Sequence, residues 1–129
     1  GRPLNSRVAV TIPFYRSLRF LRKALGSILA QSHRDLTVVV VNDGDPEPPW
    51  PVIADIADPR LVRFDLDRNR GRYFIDAIAI EATDAPYYLT QDADDWSDPR
   101  RIEVLLRALR TAHAHAATSS LAHYRLKGD

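Results

Sequence analysis

The sequence contains neither cysteine nor methionine among its 129 residues. A chain without cysteine forms no disulfide and offers no thiolate to a metal, which is typical of a reducing compartment, so we expect a cytoplasmic location. It also lacks an apolar run of about 18 residues, the length of a membrane-spanning helix, and residues 1–5 lack the apolar core of a signal peptide. Because no initiator methionine is present, we expect a processed or excised piece of a longer protein.

An excess of charge of one sign is missing as well. The 18 basic and 17 acidic residues leave a formal net charge of +1, which creates no overall field that would attract nucleic acid or an anionic membrane. We therefore expect neither as a partner. The content of 45% hydrophobic and 27% charged residues is typical of a soluble globular protein. The length suits one compact domain, which we place over residues 1–129.

Strand-like and helix-like segments alternate along the chain. Short, β-branched apolar runs predict strands at 7–12 (ended by Pro13), 36–41, 61–65 and 87–90, with a weak last strand within 117–124. Helical spacing predicts helices at 17–31 (N-cap Ser17), at 73–82 and from Asp98-Pro99 onward, with a short one near 52–57. The second helix is expected to bury Phe74, Ile75, Ile78 and Ala82. This alternation predicts an α/β fold in which helices flank a mostly parallel sheet.

Ligands of such sheets collect at the carboxyl ends of the strands. Here these ends carry three turns with polar, aromatic or acidic side chains: Pro13-Phe14-Tyr15, Asn42-Asp43-Gly44-Asp45 and Asp92-Ala93-Asp94-Asp95. We therefore expect the functional site at this edge of the sheet.

The turn at Asp92-Ala93-Asp94-Asp95 is the strongest chemical signal. Its three carboxylates repel one another unless a positive charge lies among them. Oxygen ligands alone suit Mg²⁺ or Mn²⁺ better than zinc. A site with so few protein ligands leaves coordination positions for a diphosphate, whose developing charge the ion would stabilise. The alternative is an acidic turn that only faces water before a helix.

The other candidates also have a purely structural alternative. Asp43 would accept a hydrogen bond from a ring N–H of a base, which favours uracil or thymine. Its segment, Asn42-Asp43-Gly44, is also an ordinary turn in which glycine takes a positive φ. Tyr15 follows a strand end, where it would lie near a base. Three arginines near Gly71 would meet phosphates or simply form a solvated basic loop, namely Arg68, Arg70 and Arg72.

Taken in order, these motifs resemble those of glycosyltransferase family 2, whose nucleotide-sugar-binding portion has the GT-A fold. The matching segments are Thr11-Ile12-Pro13-Phe14-Tyr15, Ser27-Ile28-Leu29-Ala30-Gln31-Ser32, Val41-Asn42-Asp43-Gly44-Asp45, Asn69-Arg70-Gly71 and the Asp-x-Asp-Asp signature Asp92-Ala93-Asp94-Asp95. The resemblance covers nearly all of the chain, and it rests on the order and separation of motifs that are individually weak.

The resemblance implies a glycosyltransferase domain that binds a nucleotide-diphosphate sugar, with a UDP-sugar favoured, through Mn²⁺ or Mg²⁺. The sugar would pass to an acceptor hydroxyl with inversion. The resemblance assigns the metal to Asp94, the ribose or the metal shell to Asp92, and the base to Asp43 with support from Pro13 and Tyr15. Charge alone, rather than a family motif, assigns the diphosphate to Arg70 or Arg72.

The chain departs from the family pattern at three places. Asn42 stands for the usual first aspartate, Asp45 for the usual serine, and Ile75-Asp76-Ala77 for a frequent Ala-Arg-Asn stretch. Family members are usually longer. We therefore expect the chain to stop before the acceptor-binding half, and the general base of the reaction to lie beyond Asp129.

Other interpretations belong to different classes. A non-catalytic nucleotide-binding module, or an inactive fragment of such an enzyme, would carry the same motifs without transferring a sugar. A receiver-like domain also places aspartates at strand ends, but it needs a lysine beside its acidic pocket, and Lys23 and Lys127 are far from the ends of the first four predicted strands. A dinucleotide-binding domain would need a Gly-x-Gly-x-x-Gly turn after its first strand, which this sequence lacks.

Overall fold

Strands and helices alternate in the structure as the sequence predicts. The computed structural model of the protein describes residues 6–16, 18–112 and 124–126. Along the chain lie β1 (Val8–Phe14), α1 (Leu18–Leu29), β2 (Leu36–Asn42), a 3₁₀ helix (Trp50–Ile53), β3 (Leu61–Asp65), α2 (Arg72–Ala82), β4 (Tyr87–Thr90), α3 (Arg101–Thr111) and β5 (Tyr124–Leu126). Within these described ranges no helix is both long enough and apolar enough to cross a bilayer.

The strands form one sheet in the order β3-β2-β1-β4-β5. Strands β1 to β4 are parallel, with Val8 opposite Leu36 of β2 and Thr11 opposite Thr90 of β4, whereas β5 runs antiparallel to β4. The chain winds from β1 outward to β2 and β3 and then returns to the other side of β1. The carboxyl ends of β1, β2 and β4 therefore meet at the point where ligands bind in open α/β sheets. The prediction of a mostly parallel sheet flanked by helices is confirmed.

Helices cover both faces of the sheet. Alternate residues of a strand point to opposite faces, and the larger core lies on the face covered by α1 and α3. It includes Val8, Val10, Ile12 and Phe14 of β1, Leu21, Leu25 and Ile28 of α1, and Ile102 and Leu106 of α3. On the other face α2 packs Ala79 against Ala9 of β1 and Ile75 against Val41 of β2.

The strand β1 continues through Pro13, so the prediction that this proline ends the strand is wrong. The carbonyl of Thr11 accepts a hydrogen bond from Gln91 N at 2.8 Å, on the β4 side. Polar groups of alternate residues point to the same neighbouring strand, so Pro13 also faces the β4 side. Because β4 has already ended at Thr90, opposite Thr11, the missing N–H of Pro13 costs no hydrogen bond of the sheet.

The helix α3 begins at Arg101, two residues later than Asp98-Pro99 predicts. The carbonyl of Asp98 accepts a hydrogen bond from Arg101 N at 3.0 Å, a span of three residues. The α-helical hydrogen bond from Ile102 N to Asp98 O, a span of four residues, is missing because Ile102 N donates instead to Gln31 Oε1 at 3.0 Å. A side chain 71 residues away in the sequence therefore delays the helix.

The buried face of α2 also differs from the prediction. Ile75 and Ala79 are at most 2% exposed, whereas Phe74 is 41% exposed. The guanidinium of Arg70 lies over the Phe74 ring, 5.0 Å from its centroid. Phe74 thus covers the preceding loop rather than the sheet.

The remaining differences concern element ends. The predicted short helix near 52–57 is the 3₁₀ helix at Trp50–Ile53. Ser17, the predicted N-cap of α1, lies outside the described residues, and so do residues 117–123 of the predicted last strand. Its final residue, Tyr124, is the first residue of β5.

Candidate functional site

The turns that follow β1 and β2 are hydrogen-bonded to each other. Asp43 N donates to Phe14 O at 2.9 Å, and Arg16 N donates to Asp45 Oδ2 at 2.6 Å. Arg16 has a φ of 57°, a left-handed conformation that non-glycine residues rarely adopt, and the bond to Asp45 helps to hold it there. Tyr15, between the two anchored residues, is 39% exposed at this edge of the sheet.

The carboxylate of Asp43 is buried and binds backbone. The residue is 5% exposed, its Oδ1 accepts a hydrogen bond from Arg70 N at 2.7 Å, and its Oδ2 accepts one from Gly71 N at 3.1 Å. The residue predicted to contact a base therefore also holds the loop before α2. A carboxylate has about four acceptor positions, so these two bonds leave acceptor positions unused.

Gly44 allows this close approach of the two loops. Its φ is 78°, and a β-carbon built on it would lie 2.2 Å from Arg68 C and 2.4 Å from Asn69 N. Both the conformation and the space require glycine at this position. The Asn42-Asp43-Gly44 and Asn69-Arg70-Gly71 motifs, which are separate turns in the sequence, therefore form one structural unit.

Asn42 is buried between this unit and β3. Its Oδ1 accepts a hydrogen bond from Asp45 N at 3.0 Å, and its Nδ2 donates to Asp65 Oδ1 at 3.0 Å. Trp50 Nε1 donates to the same carboxylate at 3.0 Å. An aspartate at position 42 would place two carboxylates against each other, which gives this departure from the family motif a physical reason. Sequence reasoning missed Asp65 and Trp50, because no local pattern marks such contacts.

The acidic turn after β4 directs its carboxylates outward. Ala93 is 4% exposed and packs in the larger core, while Asp92, Asp94 and Asp95 are exposed. Asp95 N donates to Asp92 O at 3.1 Å and closes the turn. Burial of one small apolar side chain thus leaves the carboxylates on both sides of it at the edge of the sheet.

Of the two arginines predicted to bind a diphosphate, Arg72 contacts the acidic turn. Its Nη2 lies 2.5 Å from Asp92 Oδ1, and both side chains are about half exposed. The guanidinium of Arg70 lies instead 3.7 Å from the carboxylate of Asp67. The structure brings Arg72 and Asp92 together and leaves Arg70 on its own loop.

Asp94 is the carboxylate of this turn that has neither a hydrogen-bonding nor an ionic partner among the described residues. In the same part of the chain, no group of three or more His, Cys, Asp or Glu side chains converges on one point that a metal would occupy. The described residues therefore contain no metal site that is formed by protein ligands alone. The arrangement fits a hard cation that takes one carboxylate and keeps its other positions for water and phosphate oxygens.

Beneath the acidic turn, buried hydroxyl groups link β1, β4 and α2. The hydroxyl of Tyr88 shares a hydrogen bond of 2.6 Å with that of Thr11, accepts one from Thr90 at 3.1 Å and donates to Asp76 Oδ1. Burial, and next the bond to Asp76, raise the pKa of Tyr88 well above its usual range. Asp76 stands where the family often has arginine, and sequence reasoning missed its partner.

A cavity of about 420 Å³ opens beside the joined turns, lined by Arg16, Leu18, Asp45, Pro46 and Glu47. Its volume lies within the range of small-molecule sites, about 300 to 1,000 Å³. The sequence did not predict this cavity, since its lining comes from two segments that are almost 30 residues apart in the sequence.

The sequence profile of the family described as "Glycosyl transferase family 2" matches residues 9–129. Hyaluronan synthase of Streptococcus pyogenes is 30% identical over 130 residues, a match that covers 94% of this chain and 31% of the synthase. Other curated relatives are matched over 17% and 34% of their length. The chain thus spans about a third or less of the curated relatives that it matches.

Two solved structures share the architecture. S. aureus TarS 1–349 in complex with UDP-GlcNAc has a TM-score of 0.71 at 19% identity, over 83% of this chain and 32% of TarS 1–349. The mannosyltransferase PcManGT from Pyrobaculum calidifontis, in complex with GDP-Man and Mn²⁺, has a TM-score of 0.68 at 22% identity, over 81% of this chain and 32% of PcManGT. At these identities the similarity shows the fold, which is GT-A-like.

Proposed function

The chain belongs to glycosyl transferase family 2, and from this premise we propose that it forms the donor-binding part of a glycosyltransferase. It would bind a nucleotide-diphosphate sugar through a divalent metal, and the sugar would pass to an acceptor hydroxyl with inversion. One observation carries the proposal: the exposed carboxylate of Asp94 has no partner among the described residues, while its neighbour Asp92 is paired with Arg72.

We assign Mn²⁺ or Mg²⁺ to Asp94. The ion, when bound, would counter the charge that builds on the leaving diphosphate. Asp92 would contact the ribose or the outer shell of the metal. Arg72 has five N–H donors, and one of its nitrogens faces Asp92, so other donors remain for the diphosphate. Arg70, on the same loop, is the second candidate for this contact. The complex of PcManGT with Mn²⁺ supports the metal.

We favour a UDP-sugar as the donor. The buried Asp43 keeps acceptor positions beside its two backbone bonds, and the ring N–H of uracil would donate to one of them. Pro13 and Tyr15 would support the base from the adjoining turn. The complex of TarS with UDP-GlcNAc supports this choice, whereas PcManGT binds GDP-Man, so the base must be tested directly.

In the transfer, the acceptor oxygen would form a bond to the anomeric carbon while the bond from that carbon to the diphosphate oxygen breaks on the opposite side. The configuration of the carbon inverts, and the hydroxyl proton passes to a general base. We assign no residue of this chain to that role. The part of this chain is to hold and orient the donor, which lowers the entropic cost of the reaction.

Calorimetric titration with UDP, GDP and dTDP, each with and without Mn²⁺, tests the proposal. We expect UDP to bind in a metal-dependent manner, and Asp94→Asn to weaken this binding at least tenfold, or about 1.4 kcal/mol. Asp84→Asn is the matched control, because it removes an exposed carboxylate just before β4, at the opposite end of that strand.

Equal affinities of the two variants would overturn the metal assignment. Tighter binding of GDP or dTDP would overturn the choice of base. Metal-dependent binding of UDP without transfer from a UDP-sugar, in a protein that includes the acceptor-binding part, would favour the non-catalytic nucleotide-binding module.

A further inference from the structure

The loop between β4 and α3 carries the acidic turn without regular secondary structure, yet buried residues fix it from within. Gln91, Ala93 and Ser97 are at most 4% exposed. On the outer side, within the described part of the chain, the carboxylate of Asp92 is paired with Arg72 and that of Asp94 has no partner, while a backbone bond from Asp95 N to Asp92 O closes the turn. The conformation of the acidic turn therefore depends on the buried side of the loop.

Gln91 closes one end of this loop onto the other. Its Oε1 accepts hydrogen bonds from Ser97 Oγ at 2.6 Å and from Arg101 Nη1 at 2.9 Å. Ser97 N in turn donates to Ser27 Oγ of α1 at 3.1 Å. Gln91, 1% exposed, is thus the shared acceptor that joins the start of the loop to its end and to α3, while the backbone of Ser97 joins the loop to α1.

Gln31, just after α1, holds the far end of the loop. Its Nε2 donates to Asp98 O at 2.6 Å, and its Oε1 accepts from Ile102 N at 3.0 Å. Ser32 N donates to Pro99 O at 2.8 Å. Gln31 is fully buried, so removal of its amide would leave Ile102 N without this acceptor, at considerable cost, and would leave Asp98 O with Arg101 N as its remaining donor.

We propose that Gln31 and Gln91 are positioning residues for the acidic turn: they fix the backbone from which Asp92 and Asp94 project toward the metal and the donor. The proposal rests on the function proposed above, because it concerns the geometry of that site. Side chains that touch no ligand but orient the residues that do so have a measurable influence on metal affinity.

The two glutamines differ in the hydrogen bonds they use, which gives a sharp test. Gln91 acts through its acceptor oxygen, with one long contact of 3.4 Å from its Nε2 to Asp92 O. Gln91→Glu therefore keeps the bonds from Ser97 and Arg101. Gln31 uses both its donor and its acceptor, and Gln31→Glu would place a carboxylate against the carbonyl of Asp98. We therefore expect the positioning role to survive Gln91→Glu and to be lost in Gln31→Glu.

The experiment compares Gln91→Met, Gln91→Glu, Gln31→Met and Gln31→Glu with the wild-type chain at pH 8. Three quantities are measured: Mn²⁺ affinity in the presence of UDP, amide hydrogen exchange of residues 92–98 in the ligand-free protein, and the unfolding temperature. We expect Gln91→Met and both Gln31 variants to bind Mn²⁺ about tenfold more weakly and to exchange faster in this segment. Gln91→Glu should stay within about threefold of the wild type.

Thr83→Val is the matched control, because it removes a buried hydroxyl that donates to Ala79 O at the far end of α2. It should lower the unfolding temperature and leave Mn²⁺ affinity and exchange at 92–98 unchanged. If Gln91→Met and Gln31→Met behave like Thr83→Val, the positioning role is overturned. If Gln91→Met does not fold, Ser97→Ala removes the hydroxyl that donates to Gln91 and accepts from Arg101, and the same two outcomes decide.

A wild-type chain that binds no Mn²⁺ with UDP would refute the proposed metal site rather than the role of the glutamines. In that case the hydrogen exchange alone decides. Faster exchange of residues 92–98 in Gln91→Met than in Gln91→Glu supports the proposal, and equal exchange in the two variants overturns it.

Discussion

At the scale of the residue, the side chain of Arg60 joins three segments of the chain by hydrogen bonds. Its guanidinium donates to the carbonyl oxygens of Leu29 and Arg34, both at 2.9 Å, and to both carboxylate oxygens of Asp58. It thus ties the end of α1 and the approach to β2 to the start of β3. The side chains of Arg60 and Asp58 are only 17% and 23% exposed, so water screens their interaction only in part.

The unfolding free energy of the Asp58→Asn variant is expected to depend less on pH in the acidic range than that of the wild type. Hydrogen bonds from the side chain and then the backbone N–H of Arg60 lower the pKa of Asp58 from 3.8 to about 2. A carboxyl group with a lowered pKa stabilises the folded state at every pH above its unfolded-state pKa. This contribution is lost as pH falls from the unfolded-state pKa to the folded-state pKa, here between about pH 4 and pH 2.

Urea unfolding of Asp58→Asn should show a loss of about 1 kcal/mol at pH 7 and a shallower decline of the unfolding free energy between about pH 4 and pH 2. Asp84→Asn, which removes an exposed carboxyl, should behave like the wild type at both ends of this range. A decline in Asp58→Asn as steep as that of the wild type would contradict the role of Arg60.

The sequence predicts which residue types are available at the site, but not the contacts between them. The acidic and aromatic residues at the strand ends follow from local patterns. The bonds of Asp43 to the backbone of Arg70 and Gly71 do not, because they join residues 27 and 28 apart and depend on the path of a loop. The pairing of Arg72 with Asp92, 20 residues apart, has the same origin. Local sequence carries no signal for such pairs.

At the scale of the element, Tyr88 joins α2 to the sheet. Its hydroxyl contacts Thr11, Thr90 and Asp76, so Tyr88→Phe would leave three polar groups without this partner. We expect the free energy of unfolding at pH 7 to fall by about 1 to 3 kcal/mol. The matched control is Tyr87→Phe, on the adjacent, half-buried tyrosine of β4, which should change stability by less than this.

The same variant should change the behaviour at alkaline pH. Burial and the bond to Asp76 raise the pKa of Tyr88. The contribution of this tyrosine to stability is therefore fully present below the unfolded-state pKa of about 10 and is lost as pH rises through its folded-state pKa. Urea unfolding between about pH 8 and pH 11 should therefore show a shallower decline in Tyr88→Phe. A decline unchanged from that of the wild type would show that the hydroxyl is not held in this network.

The positions of helices and strands could be predicted where they depend only on the hydrophobic pattern within the element. The strands β3 and β4 have the predicted bounds, and β2 is longer by one residue, Asn42. The errors come from contacts between elements. The start of α3 is delayed because Gln31 takes the N–H of Ile102, and β1 passes through Pro13 because β4 ends beside it. To avoid either error, one would have to know which residues from a distant part of the sequence lie next to the element.

At the scale of the whole molecule, the order β3-β2-β1-β4-β5 explains the spacing of the motifs. The turns after β1, β2 and β4 are separated by about 30 to 50 residues in the sequence, yet parallel pairing places them at one edge of the sheet. The topology could therefore predict where a ligand would bind. The shape of the cavity and the arrangement of Arg72, Asp92 and Asp94 depend instead on how the loops pack.

Because the candidate site is built from the ends of several elements, a bound nucleotide should stabilise the whole fold. A ligand that binds the folded state alone adds about 2.7 kcal/mol at a concentration of 100 times its Kd, which for a domain of this size raises the unfolding temperature by about 10 °C. We expect UDP with Mn²⁺ to give such a shift in the wild type and in Asp84→Asn, and UDP with a chelator to give a much smaller one. Asp94→Asn should lose most of the Mn²⁺-dependent part. A shift of equal size in Asp94→Asn, measured by calorimetry at the same ligand concentrations, would mean that the nucleotide stabilises the fold without using the acidic turn.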